Sequence, residues 1–97
     1  MLYKIFAVIS KNKIYYSLTT KEFLTDAYTR LKNNYLAFKN NNLDNFYIKY
    51  QQKRRCFDVF NDGHTYFKLL EENIQFESLK QAKTYLRNTY KNRVVLE

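Results

Sequence analysis

A chain of 97 residues with 17 Lys and Arg against 9 Asp and Glu carries a formal net charge of +8. This length supports one domain with a single modest core, and no apolar run reaches the roughly 18 residues of a membrane span. The apolar start lacks the basic lead and the small-residue cleavage site of a signal peptide. Cys56 is the only cysteine, which favours a reducing compartment. We therefore expect one cytoplasmic domain over residues 1–97.

The first half of the chain predicts a hairpin followed by a helix. Residues 2–9 alternate between two largely apolar sets, as in a strand covered on both faces. A polar turn follows, and residues 14–18 form the return strand. Thr19 then stands three positions before Glu22, the spacing of a capping box. Apolar residues recur every three or four positions after it, so we predict a helix over residues 20–39.

The second half predicts three more strands and a second helix. The strand candidates are residues 46–52, 56–60 and 65–70. Asp62-Gly63 lies between the last two and is the strongest hairpin signal, because Asp-Gly suits a tight primed turn. The polar residues 71–73 break the last strand. Ser78 and Gln81 have the capping-box spacing again, which begins a helix over residues 78–91.

The resulting element order, ββαβββα, predicts a small α+β domain. Its antiparallel sheet of four to six strands would carry both helices on one face. Residues 27–35 and 82–90 share Ala, Thr, Leu, Asn and Tyr at the same spacing, so either a ββα unit is duplicated or a Lys-Asn-Tyr-rich composition produces a coincidence. The expected core residues are Ile5, Val8, Leu24, Leu31, Phe57, Val59, Leu79, Ala82 and Leu86.

The chemical inventory argues against an enzyme. The only histidine, His64, lies in a predicted turn, and Cys56 begins a predicted strand with no histidine near it in sequence. The acidic residues and His64 match no recognised metal-ligand spacing. A single glycine cannot build a phosphate-cradling loop. We expect a non-enzymatic protein without metal or cofactor.

Basic and aromatic residues concentrate between residues 46 and 55. Basic side chains neutralise phosphates and aromatic rings stack on bases, and the same surface suits an acidic protein groove. The candidate partner-binding residues are Lys11, Lys13, Tyr47, Lys49, Lys53, Arg54 and Arg55. The next candidate is the exposed face of the first predicted helix, with Lys21, Arg30, Lys32 and Lys39.

Two functions remain open. We favour a non-enzymatic binder, encoded by a phage or mobile element, that inhibits or modulates a host protein or ribonucleoprotein complex that handles nucleic acid. Anti-CRISPR and other anti-defence proteins act by such surface occupation, and the many Asn, Lys and Tyr residues suggest an AT-rich phage or bacterial genome. The alternative is a small basic RNA- or single-stranded-DNA-binding protein. Acids of the second half would oppose a continuous phosphate track in that case; they are Asp58, Asp62, Glu71, Glu72 and Glu77.

Overall fold

The computed structural model describes residues 2–40 and 55–90. These residues contain three strands, β1 (Leu2–Ile9), β2 (Ile14–Thr19) and β3 (Tyr66–Gln75). They also contain three helical segments, α1 (Leu24–Asn40), α2 (residues 55–61) and α3 (Leu79–Tyr90). The strands form one antiparallel sheet in the order β2-β1-β3. The predicted α+β class is confirmed.

Strand β1 is the centre of the sheet. Ile9 pairs with Ile14 of β2 on one side and with Tyr66 of β3 on the other. Residues 5–8 are each at most 1% exposed. Because successive side chains of a strand point to opposite faces, burial of four consecutive residues means that both faces are covered. The prediction of a two-sided strand followed by a hairpin is confirmed.

One face of β1 carries α1 and α2. Phe6 and Val8 lie in a cluster that both helices complete. The rings of Phe38 in α1 and Phe57 in α2 have centroids 4.4 Å apart. The Tyr35 hydroxyl of α1 donates to the Asn61 side chain at 3.0 Å, so the two helices are joined by polar as well as apolar contacts.

The other face of β1 carries α3. Ala7 pairs with Tyr16, so both side chains point to this face, and the Tyr16 ring lies 4.9 Å from the Tyr90 ring of α3. The expectation that both predicted helices share one face is therefore wrong. The physical reason is that α1 and the unexpected α2 already cover one face, while the opposite face of β1 is equally apolar and needs its own cover.

Helix α2 replaces the strand that the sequence predicted over residues 56–60. Cys56, Phe57, Val59 and Phe60 are all buried, and their spacing of one, two and one fits one face of a helix. A short apolar run does not distinguish a strand from a buried helix. These residues are helical because a helix brings all four side chains into the core cluster with β1 and α1.

Asp62-Gly63 consequently ends a helix instead of turning a hairpin. The Asp62 amide donates to the Asp58 carbonyl at 3.1 Å, and the Gly63 amide to the Phe60 carbonyl at 3.2 Å. Gly63 has a φ of 87°, which a glycine at a helix end adopts without steric cost. Between residues 55 and 90 the chain therefore runs αβα, so the predicted repeat of a ββα unit is wrong there.

Strand β3 runs through residues 71–73, where the sequence predicted a break. The pairing with β1 shifts register on both sides of Ile5, and Asn73 has a φ of 59°. A bulge thus absorbs the polar residues within the strand. The strand predicted over 46–52 lies outside the described residues.

The sequence predicted a capping box at the start of both α1 and α3, and only the one at α3 is found. Helix α1 begins at Leu24 because Thr19 still pairs with Lys4 in the sheet; its hydroxyl accepts from the Lys21 amide at 3.1 Å. The predicted capping box at Thr19 is therefore wrong. At α3 the Gln81 amide donates to the Ser78 hydroxyl at 3.2 Å, which confirms the second cap.

Most of the predicted core is buried. Ile5, Val8, Phe57, Val59, Ala82 and Leu86 are buried, and Leu24 and Leu31 are half-buried. Leu79 is 52% exposed. It was predicted wrongly because it is the first residue of α3, where the helix has not yet reached the sheet.

Leu86 and Leu79 give a matched test of this arrangement on one helix. Leu86→Ala should lower the free energy of unfolding by about 2–5 kcal/mol, because it leaves a cavity beneath α3. Leu79→Ala should change it by less than about 0.5 kcal/mol, because its side chain remains in solvent. Urea denaturation measures both. Equal losses in the two variants would contradict the placement of α3.

Candidate anion-binding groove

A groove of about 210 Å³ lies between β2 and the first half of α1. Tyr15, Ser17 and Thr19 line it from β2, because alternate residues of a strand share one face. Helix α1 contributes Ala27, Arg30, Leu31 and Asn34, which lie on one helical face at the spacing i, i+3, i+4 and i+7. The groove is therefore built where β2 presents small polar side chains to α1.

The charged groups that line the groove are both cations. Lys21 and Arg30 belong to the lining, and no Asp or Glu does. A third cation lies at the same end, since Lys4 pairs with Thr19 and its ammonium donates to the Lys21 carbonyl at 2.9 Å. This end of the groove therefore attracts anions.

Tyr15 lies at the other end of the groove. Burial, with a smaller contribution from the Cys56 thiol, raises the pKa of Tyr15 to about 12. Arg55 acts in the opposite direction on the same pKa, so its guanidinium lies near the phenol. The Tyr15 hydroxyl, like that of an ordinary tyrosine, is neutral at physiological pH and can donate a hydrogen bond.

The predicted site residues fall into three groups. Arg55 is exposed and adjoins the groove through Tyr15. Lys11 and Lys13 occupy the turn between β1 and β2, with Lys11 exposed and Lys13 half-buried. The remaining residues, Tyr47, Lys49, Lys53 and Arg54, lie outside the described residues.

The four cations predicted on the face of the first helix fall into two pairs in the structure. It brings Lys21 and Arg30 into the groove. Lys32 and Lys39 are exposed on α1 but do not line it. Sequence reasoning missed the contribution of Ser17, Thr19 and Asn34, although the alternation in β2 and the helical spacing from Ala27 to Asn34 were both readable signals.

The turn that carries Lys11 and Lys13 is held by Asp62. One oxygen of the Asp62 carboxylate accepts from the Asn12 amide and the Ser10 hydroxyl, each at 2.8 Å. These hydrogen bonds, with a smaller contribution from nearby Lys13, hold the pKa of Asp62 below its usual value. The carboxylate therefore fixes the turn and offsets part of its positive charge.

Glu71 has a similar internal role on the α3 face of the sheet. Its carboxylate accepts from the Tyr85 hydroxyl at 2.9 Å and also from the Tyr90 hydroxyl. The hydrogen bond to Glu71 raises the pKa of Tyr85, and burial together with Glu71 raises the pKa of Tyr90. These contacts attach α3 to β3.

Cys56 and His64, the two residues considered for catalysis, lie in different environments. Cys56 is 1% exposed. His64 is exposed in the loop before β3, with a φ of 49°. Across residues 2–40 and 55–90, no three His, Cys, Asp or Glu side chains come close enough to hold a metal ion. No helix in that part of the chain is long and apolar enough to cross a membrane.

The comparisons with known proteins indicate no function for this chain. No family model matches it, and the searches of curated proteins and of solved structures found no match. The inference of function therefore depends on the chemistry of the groove and of the residues around it.

The hydrogen bonds to Asp62 give a prediction about pH. Because they lower the folded-state pKa, their stabilisation is complete above the unfolded-state pKa of about 3.9 and is lost as pH falls through the lower folded-state value. The Asp62→Asn variant should therefore have a lower melting temperature than the wild type at pH 7. The difference between the two melting temperatures should become smaller below about pH 4. Thermal unfolding across pH measures this. The exposed Glu72→Gln is the control, and a gap independent of pH would contradict the role of the carboxylate.

Proposed function

We propose that this protein is a non-enzymatic binding protein that modulates a nucleic-acid-handling complex by occupying an anionic surface of that complex. The observation that carries the proposal is the groove between β2 and α1. Lys21 and Arg30 line it, and Lys4 and Arg55 adjoin its two ends. This arrangement favours a negatively charged partner.

The charge of the protein supports the same function. A formal charge of +8 on 97 residues attracts anionic partners and raises the rate of encounter with them. Such attraction is screened within about 8 Å at physiological ionic strength, so specificity requires cations placed at a defined surface. The groove provides that surface, because Lys21 and Arg30 border it from the segment before α1 and from α1 itself.

The surroundings of the potential nucleophiles support a binder over an enzyme. A nucleophilic cysteine needs access to substrate and a nearby base, whereas Cys56 belongs to α2 and its side chain is buried in the core. The raised pKa of Tyr15 makes its phenolate even less accessible than that of an ordinary tyrosine. The groove therefore offers hydrogen-bond donors and positive charge without an activated nucleophile among its described residues.

We further propose that the protein is encoded by a phage or mobile element and acts as an anti-defence protein of the anti-CRISPR type. The support is its small single domain, its composition and its non-catalytic basic groove. Complexes that handle nucleic acid carry both acidic protein patches and bound strands, and either is chemically compatible with Lys21 and Arg30. The expected action is competition for a surface that the complex needs.

Charge reversal in the groove tests this proposal. Tagged wild-type protein should retain a nucleic-acid-binding protein complex from host lysate after nuclease treatment, identified by mass spectrometry. Lys21→Glu with Arg30→Glu should reduce the retained complex by about tenfold or more, because repulsion replaces attraction at the contact. Higher salt should weaken retention by the wild type.

The control must change the net charge equally. Lys32→Glu with Lys83→Glu alters two exposed residues, one on α1 and one on α3, outside the groove. This variant should retain the complex like the wild type. Equal loss in both double variants would attribute binding to net charge alone and would contradict a binding role for the groove.

A further inference from the structure

We propose that the groove binds the phosphodiester backbone of a single-stranded RNA or DNA segment, with Phe23 stacking on a base at the Lys21 end. This inference rests on the proposed function, since the strand would be nucleic acid that the target complex carries and protects from nuclease. It goes further by naming the chemical group that the groove recognises.

The mixture of donors in the groove suits a phosphate better than a carboxylate. Arg30 offers a planar fork of N–H groups and Lys21 a point charge. Ser17 and Thr19 add hydroxyl donors, and Asn34 adds an amide. A phosphodiester has two charged oxygens and further ester oxygens, so charged and neutral donors can be used together along one strand.

The length of the groove also fits a repeating anion. Residues 15 to 19 of β2 span about 13 Å at 3.3 Å per residue. Arg55 lies near Tyr15 at one end, and Lys21 and Arg30 lie at the other. A groove of this length accommodates neighbouring charges of a nucleic-acid strand or the same-side carboxylates of an extended peptide, which lie about 7 Å apart. The choice between the two therefore depends on the donors in the groove and not on its length.

Phe23 is an exposed aromatic residue in the segment between Lys21 and α1. Its side chain is 60% exposed and lies two residues after Lys21. Its carbonyl accepts from the Asp26 amide at 3.1 Å, which fixes the backbone that presents the ring. Exposed aromatic rings combined with a positively charged groove are used for sequence-tolerant single-strand binding, because every base has a π-face.

Two acids lie at the same end and oppose a phosphate. Glu22 follows Lys21, and Asp26 lies one helical turn before Arg30. Asp26 also occupies the first turn of α1, where a negative charge stabilises a helix. Asp26→Asn should therefore strengthen binding of a strand while it weakens the fold. A purely structural role of Asp26 would lower both affinity and stability in this variant. An increase in affinity with a decrease in stability would instead show that the carboxylate repels the bound strand.

The experiment measures binding of the full chain to fluorescent twelve-nucleotide oligo-U and oligo-dT by anisotropy at increasing salt. Lys21→Gln with Arg30→Gln should reduce the salt slope of binding by about 1.4, because each single-strand phosphate contact contributes about 0.7. Phe23→Ala should weaken binding about fivefold or more through lost stacking. Asp26→Asn should tighten it. Thermal unfolding verifies that each variant is folded.

Matched variants exclude general effects of charge and apolar surface. Lys32→Gln with Lys83→Gln removes the same charge outside the groove, and Leu79→Ala removes an exposed apolar side chain from α3. Both should bind within about twofold of the wild type. Binding that is unchanged by the groove pair or by Phe23→Ala would overturn the assignment.

A polyglutamate of equal charge separates the phosphodiester from an acidic protein partner. The assignment predicts tighter binding of the oligonucleotide than of polyglutamate. If polyglutamate binds as well, or if the oligonucleotide does not bind while retention of the complex still requires Lys21 and Arg30, the phosphodiester assignment fails and the proposed function stands. If neither oligonucleotide nor complex depends on these two residues, both fail.

Discussion

The rest of the structure depends on strand β1, which must be covered on both faces. Its residues alternate between two apolar sets, and burial of one set against α1 and α2 leaves the other facing away. The three strands of the described residues make a narrow sheet, so each face accepts few elements. The described architecture, with α1 and α2 on one side and α3 on the other, satisfies this single hydrophobic requirement.

The groove follows from the same constraint. Helix α1 uses one stripe of side chains, including Tyr35 and Phe38, to cover β1 beside α2. Its earlier turns extend over β2, where Ser17 and Thr19 replace apolar residues on that face. Apolar packing therefore determines the position of α1, and the polar side chains of β2 leave a space that cations border. The candidate site therefore results from two features, the packing of α1 on the core and the polar side chains of β2.

The sequence predicted those features that depend on neighbouring residues. The β1–β2 hairpin and the start of α3 were predicted correctly, because alternation and the Ser78–Gln81 cap act locally. Helix α2 was missed because Cys56–Phe60 is too short for its period to be decisive. Lys21 and Arg30 were recognised as exposed cations. That they line the same groove as Ser17 depends on the tertiary packing of α1 against β2, which local sequence patterns do not reveal. The acids Asp62 and Glu71 seemed to oppose a phosphate track, yet each is engaged in internal hydrogen bonds.

The pairing of β1 with β3 has a consequence for biosynthesis. Ile9 pairs with Tyr66, more than fifty residues later in the chain, and α3 follows later still. At about 5–20 residues per second on the ribosome, the apolar faces of β1 stay without their final partners for several seconds. The contacts that complete the core span most of the sequence, which slows folding. An abundant product of this kind would therefore compete for the chaperones of the cell that makes it.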